Sequence, residues 1–298
     1  MVTKEQRPYS FRRKSYCLSI AKFGNDESLL DILMTEQIIL IAIIQGITEF
    51  LPISSSGHLN LVHGLAGYND QGLAMDVAVH VGTVLAVILY NLRVIKEMII
   101  SVLSLGKSHH DKFGVSLATI IATIPVVIAG FILNQNDGAI EWLRSIEVVG
   151  WATLIFGIVL GITDRSQGRR RFVTITGSDA LVIGFSQILA LIPGTSRAGI
   201  TMSAARMMGL SRRAAARFSM ILSIPVILGS GLLKGLDLYA EGNLESISPL
   251  IIGGLLAMVI AFMSIGAMMA IIQRIGFMPF VIYRVILGLV LLGSVYLF

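Results

Sequence analysis

Long apolar runs separated by short polar stretches make up most of the chain from about residue 35 to its end. The runs are continuous rather than alternating, so they favour membrane-spanning α-helices over the strands of a β-barrel. Composition agrees, because 55% of the 298 residues are hydrophobic and 14% are charged, against roughly a quarter charged in a soluble domain. We therefore predict an all-α polytopic membrane protein.

Two of the apolar runs are too short to cross a bilayer and break at a proline. The first contains QGITEFLPISSSGH at 45–58, and the second contains QILALIPGTSRAGIT at 187–201. After its proline, each presents hydroxyl groups, a glycine and one cationic or titratable side chain. Broken helices in corresponding halves of a chain are typical of a binding site near the membrane midplane. We predict that the two broken elements cover 36–66 and 179–209.

The other long runs predict six transmembrane helices, three after each broken element. These spans are expected at 74–91, 114–134, 147–163, 216–235, 249–272 and 277–297. The apolar segment 94–105 is too short to span, and we expect it to lie at the membrane interface.

Loop charges predict an orientation and an internal symmetry. The loops 92–112 and 164–174 are basic and belong in the cytoplasm, whereas the loops 135–146 and 236–248 are acidic and belong outside. An odd number of spans separates the two broken elements, so the second half is inverted relative to the first. The fold predicted is an inverted repeat, in which each half is a re-entrant helix-loop-helix plus three transmembrane helices.

The domain organisation follows from these patterns. Repeat one is expected at about 36–163 and repeat two at about 179–298, within a single integral membrane domain at 34–298. Residues 1–33 carry six basic side chains and no long apolar run, and we predict a poorly ordered N-terminal extension. Met34 directly precedes the first apolar run and is an alternative start. The net charge of +5 fits cytoplasmic loops and lipid head groups, and no nucleic-acid partner is expected.

Glu49 and Gln45 are the first candidates for chemistry. They are four residues apart, so they share one face of a helix. A carboxylate at membrane depth is a functional candidate by default, and here it would serve as a general base or as a ligand of a divalent cation, with Gln45 beside it. The alternative is that Glu49 only accepts hydrogen bonds from its own loop.

The next candidates are Ser54, Ser55, Ser56 and His58, in a loop that also holds a glycine. Exposed N–H groups and hydroxyls in such a loop suit an anion. Pairing of a serine with His58, oriented by Glu49, would follow the logic of an activated nucleophile. The alternative is that the serines cap a helix.

The second broken element contributes Arg197, the only charged residue between Asp179 and Arg206. A guanidinium group suits a phosphate, and the loop opens a helix whose N-terminus favours anions. An ion pair between Arg197 and Glu49 is the alternative, and it is compatible with phosphate binding.

Two weaker signals remain. His80 either faces the site or is packed, and a cytoplasmic loop contacting lipid head groups is expected for Arg206, Arg212, Arg213 and Arg217.

With these residues in view, the chain resembles the undecaprenyl-diphosphate phosphatases of the bacitracin-resistance type from about residue 34 to its end. QGITEFLPISSSGH matches the family's (E/Q)-x-x-x-E motif and its Ser-rich loop ending in histidine. PGTSRAGIT at 193–201 matches P-G-x-S-R-S-x-x-T, except that Ala198 replaces a serine and removes one hydroxyl contact. The motifs DVAVHVGTVLAV at 76–87, SRRAAARFS at 211–219 and MPFVIYR at 278–284 also look family-like.

The resemblance implies a membrane phosphatase that converts undecaprenyl diphosphate to the monophosphate, with an active site open to the outer face of the bacterial cytoplasmic membrane. Arg197 would bind the phosphoryl oxygens, Ser55 or His58 would attack phosphorus, and Glu49 would act as base or hold Mg²⁺ or Ca²⁺. Residues expected to position phosphate or metal are Gln45, Ser54, Ser56, Gly194, Thr195, Ser196 and Thr201.

The partners expected are the polyprenyl diphosphate and membrane lipids, and a homodimer is left open. A transporter or flippase for a polyprenyl phosphate is the alternative function, since inverted repeats with broken helices are also transporter features.

Overall fold

The computed structural model describes residues 27–59, 72–241 and 247–297. Its α-helices are α1 (Glu27–Thr48), α2 (Gly72–Tyr90), α3 (Leu92–Leu103), α4 (His110–Leu133), α5 (Asp137–Leu143), α6 (Ile146–Asp164), α7 (Gly177–Ile188), α8 (Arg197–Met207), α9 (Arg212–Glu241), α10 (Ile247–Arg274) and α11 (Met278–Tyr296). Residues 55–59 are also helical, and single 3₁₀ turns lie at Phe172–Thr174 and Leu189–Leu191. The described ranges contain no β-strand.

Within the described ranges, five helices are long and apolar enough to cross a membrane, namely α4, α6, α9, α10 and α11. A sixth span is reached if α2 and α3 are counted together, although they are bent by 84° where they meet. The prediction of an all-α polytopic membrane protein is therefore confirmed. The bend separates α3 from the span before it, and its position at the membrane interface stays a prediction.

The two halves interdigitate in a reciprocal way. Helix α1 packs against α10, and α7, its counterpart in the second half, packs against α4. Both contacts depend on a glycine. A Cβ atom on Gly46 would lie 2.9 Å from the carbonyl oxygen of Ala257, and one on Gly184 would lie 2.8 Å from that of Ala122. This reciprocity is what a pair of inverted repeats would give. The repeat boundaries stay a prediction. Residues 27–33 of the expected extension are helical and form the start of α1, whereas residues 1–26, and residues 60–66 of the first broken element, lie outside the described part.

Helix α7 begins at a capping box, which orients the second broken element. The Thr176 hydroxyl accepts the N–H of Asp179, whose carboxylate accepts the N–H of Thr176 and two hydrogen bonds from Arg170. Burial raises the pKa of Asp179, but the hydrogen bonds from Arg170 and Thr176 lower it by more, so its pKa lies below its usual value. Asp179 is therefore ionised at neutral pH. Its stabilising effect is lost only as pH falls through this lowered pKa.

Of the arginines expected to contact lipid head groups, one is internal, so that prediction is wrong for Arg206. Arg206 is buried and donates to the carbonyl oxygens of Leu210 and Asp164. Arg212 donates to both carboxylate oxygens of Asp164, at 2.6 and 2.9 Å. The carboxylate of Asp164 therefore pairs with Arg212, whose side chain stays 39% exposed, and carbonyl oxygens around it accept hydrogen bonds from the buried Arg206. The loop expected at 135–146 also differs, because it contains the short helix α5, capped by Asn136.

Candidate active site

Each broken element turns at a serine that caps the helix following it. Ser54 and Ser196 both have positive φ angles, 75° and 67°. The Ser54 hydroxyl accepts the N–H of Gly57, and the Ser196 hydroxyl accepts the N–H of Gly199. Positive φ is uncommon for residues other than glycine and is often held in place at functional sites. The same capped turn therefore occurs once in each half.

A cavity of about 190 Å³, called the main cavity below, lies between the two turns. Its lining is mostly polar and comprises Glu49, Ser54, Ser55, Ser56, His80, Ala190, Ser196, Arg197, Ile227 and Ser230. A helix begins at Ser55 and another at Arg197, so two helix N-termini meet at this cavity. Helix N-termini present free N–H groups and favour negative charge, so this arrangement suits an anion.

Glu49 and Arg197 form an ion pair at the cavity wall. Arg197 Nη2 donates to Glu49 Oε1 at 3.0 Å, and the two side chains are 13% and 6% exposed. Arg197 Nη1 donates to the carbonyl oxygen of Ser219. The expected meeting of a carboxylate and a guanidinium from opposite halves is therefore observed. The pair is buried, so removing one partner leaves an uncompensated charge.

Ser55 is the hydroxyl best placed to react. Its Oγ donates to Glu49 Oε2 at 2.8 Å, and the same carboxylate oxygen accepts a hydrogen bond from Gln45 Nε2 at 3.0 Å. A serine hydroxyl that already donates to a carboxylate has a proton acceptor in position. The arrangement can therefore support nucleophilic attack by Ser55 with Glu49 as the base.

His58 is not brought to Ser55 or Glu49. Its Nδ1 lies 2.7 Å from the carbonyl oxygen of Ser54, which can only accept, so Nδ1 carries the hydrogen. Nε2 then accepts the hydroxyl of Tyr283 at 2.5 Å, and the two rings are stacked. His58 does not line the main cavity. The expected Ser–His–Glu arrangement is therefore not formed, and the sequence contains no local signal for the contact with Tyr283.

His80 lines the main cavity instead. Its Nδ1 donates to the carbonyl oxygen of Asp76 at 2.6 Å, which leaves Nε2 facing Glu49 Oε2 at 3.9 Å. The spacing of four residues along α2 explains the first contact, but the approach to Glu49 is between helices. For this reason the sequence left both positions of His80 open.

The remaining predicted residues divide between the cavity wall and the layer behind it. Ser54, Ser56 and Ser196 line the cavity. The buried ones behind it are Gln45, Gly194, Thr195 and Thr201, none of which lines the cavity. The Thr201 hydroxyl lies 2.7 Å from that of Ser219, beside the backbone that holds Arg197. These residues can position the wall but do not reach the cavity themselves.

Arg284, which belongs to the motif at 278–284, joins the two turns. It is fully buried in α11. Its guanidinium donates to the carbonyl oxygens of Pro52 at 3.3 Å and Gly194 at 2.9 Å, one in each turn, and to Thr153 at 3.2 Å. Gly199 leaves room for it, since a Cβ there would lie 2.7 Å from Arg284 Nη1. Arg284 therefore fixes the distance between the two halves of the site.

The described residues offer a divalent cation few ligands of their own. They contain no cluster of three or more His, Cys, Asp or Glu side chains. The Oε1 atom of Gln45 is buried without a hydrogen-bond partner in the described part, and Glu49 is beside it. Mg²⁺ is commonly bound through one or two carboxylates together with substrate phosphates. Glu49 and Gln45 fit that pattern only if phosphate oxygens complete the coordination.

Comparisons with known proteins give a matching family and several similar sequences. Residues 38–290 match the family described as bacitracin resistance protein BacA. The undecaprenyl-diphosphatases of Roseobacter denitrificans and Hahella chejuensis are each 47% identical, over 262 and 264 residues. That of Alteromonas mediterranea is 48% identical over 264 residues. In all three cases the match covers 87% of this chain and 98% of the relative.

Proposed function

Because the chain belongs to the bacitracin resistance protein BacA family, we propose that it is an integral membrane phosphatase that hydrolyses undecaprenyl diphosphate to undecaprenyl phosphate and inorganic phosphate. The names of its relatives support hydrolysis. No contact among the described residues favours the transporter alternative. The lipid monophosphate formed would return to cell-wall synthesis as the glycan carrier.

The observation that carries this proposal is the set of contacts around Glu49. Its carboxylate accepts hydrogen bonds from a nucleophilic hydroxyl, Ser55, and from a phosphate-binding guanidinium, Arg197, at one cavity. Phosphoryl transfer depends mainly on alignment and charge stabilisation, and these groups can supply both. A long isoprenyl tail would lie among the exposed apolar side chains of the helices while the diphosphate enters the main cavity.

The reaction would proceed in two steps. Ser55 Oγ attacks the terminal phosphorus as its proton passes to Glu49. The bond to the bridging oxygen breaks, and Glu49 gives that proton to this oxygen as undecaprenyl phosphate leaves, so Glu49 is a carboxylate again. A water molecule, giving a proton to Glu49, then attacks the phosphoserine. The Oγ–P bond breaks, Glu49 returns the proton to Ser55 Oγ, and inorganic phosphate is released. Throughout both steps Arg197 and the two helix N-termini stabilise the charge on the phosphoryl oxygens.

A divalent cation, Mg²⁺ or Ca²⁺, would be held by Glu49 and the free amide oxygen of Gln45. When bound, it would neutralise charge on the diphosphate.

We also propose that the protein lies in the bacterial cytoplasmic membrane, with the main cavity opening to the outer face. The acidic loop at 135–146 and the basic loops at 92–112 and 164–174 support this orientation.

Phosphate release from undecaprenyl diphosphate by the purified full chain in detergent tests the proposal. We expect one phosphate per lipid, and at least about a tenfold slower reaction with a chelator, reversed by Mg²⁺ or Ca²⁺. A chain that is folded but releases no phosphate under any of these conditions would show that it is not this phosphatase. If the chelator leaves the rate unchanged, the protein is a phosphatase that needs no divalent cation.

A further inference from the structure

A second, smaller cavity continues from the main cavity between α2 and α9. It has a volume of about 50 Å³, and we call it the Lys234 cavity. It shares His80, Ile227 and Ser230 with the main cavity and adds Asp76 and Lys234. The shared residues show that the two spaces adjoin, so a small molecule leaving Glu49 and Arg197 would meet this cavity next.

The helical spacing explains how a path is formed. Ile227, Ser230 and Lys234 lie at positions i, i+3 and i+7 and therefore form one stripe along α9. Gly231 lies in the same stripe, and no other atom comes within 4 Å of the position a Cβ would take there. From Ile227 to Lys234 the stripe extends about 10 Å along the helix. Asp76 and His80, one turn apart on α2, line the opposite side.

The polar side chains along this path differ in charge from one end to the other. His80 turns Nε2 towards the main cavity because Nδ1 donates to the carbonyl oxygen of Asp76. At the far end, Lys234 is exposed and forms no ion pair within 4.0 Å with any described carboxylate, Asp76 included. A lysine ammonium binds phosphate as a flexible point charge. The carboxylate of Asp76, at the same end, opposes an anion and would keep its binding weak.

From these observations we propose that the Lys234 cavity is the release route for the inorganic phosphate product, with Lys234 as its transient binding group. This inference rests on the proposed phosphatase function. The two products need different exit routes, because the lipid monophosphate can leave sideways into the bilayer. Free phosphate carries at least one charge and cannot cross the apolar helix faces. It therefore requires a polar path, and on the orientation proposed above the Lys234 end of α9 faces outside.

Inhibition by added orthophosphate tests the route. We would measure the inhibition constant for orthophosphate and KM for undecaprenyl diphosphate in the full chain and its variants. Lys234→Gln should weaken orthophosphate inhibition about threefold to tenfold, as expected for one exposed charge contact. Asp76→Asn should strengthen it, because a repelling charge is removed. Lys234→Arg should restore native inhibition. Lys96→Gln, an exposed lysine on α3, makes the same change in net charge elsewhere and should have no effect.

Lys234→Gln and Asp76→Asn are expected to change the inhibition constant in opposite directions. Structural damage would instead change it in the same direction in both variants, so the two explanations can be told apart. Absence of orthophosphate inhibition in the native protein, or equal inhibition in native and Lys234→Gln proteins, would overturn the proposal. So would a raised KM for the lipid diphosphate with unchanged orthophosphate inhibition, since Lys234 would then bind the incoming head group. Each of these results presupposes hydrolysis by the native protein, so failure of the phosphatase function itself would be seen separately.

Discussion

Ser55 and Ser56 are neighbours that both line the main cavity, but their hydroxyl groups have different partners. The Ser55 hydroxyl donates to Glu49 at 2.8 Å, whereas that of Ser56 has only a 3.4 Å contact with Ser54 Oγ. Ser55→Ala should therefore lower kcat by about 10³-fold or more, because nucleophile and base act as a unit. Ser56→Ala, the matched control, should stay within about tenfold of the native rate. Single-turnover phosphate release measures both.

One outcome at this scale would contradict the assignment of the nucleophile. If Ser55→Ala still hydrolyses the lipid while His58→Ala does not, the attacking group is the histidine. His58 would then have to leave its hydrogen bond with Tyr283 and enter the cavity. The hydrogen bonds of both ring nitrogens in the present structure argue for Ser55.

Helices α2 and α10 approach each other closely at a pair of glycines. A Cβ atom on Gly82 would lie 2.0 Å from the carbonyl oxygen of Gly254, so backbone would have to move to accommodate it. Small residues at such crossings are typical of membrane helices. We expect Gly82→Ala to destabilise the protein by about 1–3 kcal/mol or more, seen as a lower melting temperature in detergent.

Gly229→Ala is the matched control, because no other atom lies within 4 Å of its Cβ position. In the middle of α9 that change should be neutral or stabilise by up to about 1 kcal/mol. Equal melting temperatures for the two variants would show that the α2–α10 contact is looser than described.

The sequence predicted most of the helices within a few residues. The run expected at 147–163 is α6 (Ile146–Asp164), and that at 277–297 is α11 (Met278–Tyr296). Continuous apolar runs determine these elements locally. Helix α5 was not predicted because its cap, Asn136, is followed by only seven helical residues. The 84° bend between α2 and α3 also has no local marker, since only Asn91 separates them.

At the scale of the whole molecule, the sequence predicted which charged groups meet but not how their surroundings are built. Inversion of the two halves was enough to bring Glu49 and Arg197 to one place. The positions of His80, Tyr283 and Arg284 depend on contacts between helices that are far apart in sequence. For Arg284, all described hydrogen bonds go to backbone carbonyls. Every residue has a backbone carbonyl, so the sequence does not indicate which ones Arg284 contacts.

The most direct test of the account is phosphate release by Glu49→Gln and Arg197→Ala compared with the native chain. Arg93 and Glu97 form a pair on α3 at 3.2 Å, away from the main cavity, in which Arg93 is exposed and Glu97 is half-buried, so Glu97→Gln and Arg93→Ala are the matched controls. We expect at least about a 10²- to 10³-fold loss in the two site variants and native rates in the controls. Assays would run below each variant's melting temperature, since breaking a buried pair costs about 3–5 kcal/mol. Native turnover by a folded Glu49→Gln or Arg197→Ala protein would contradict the account.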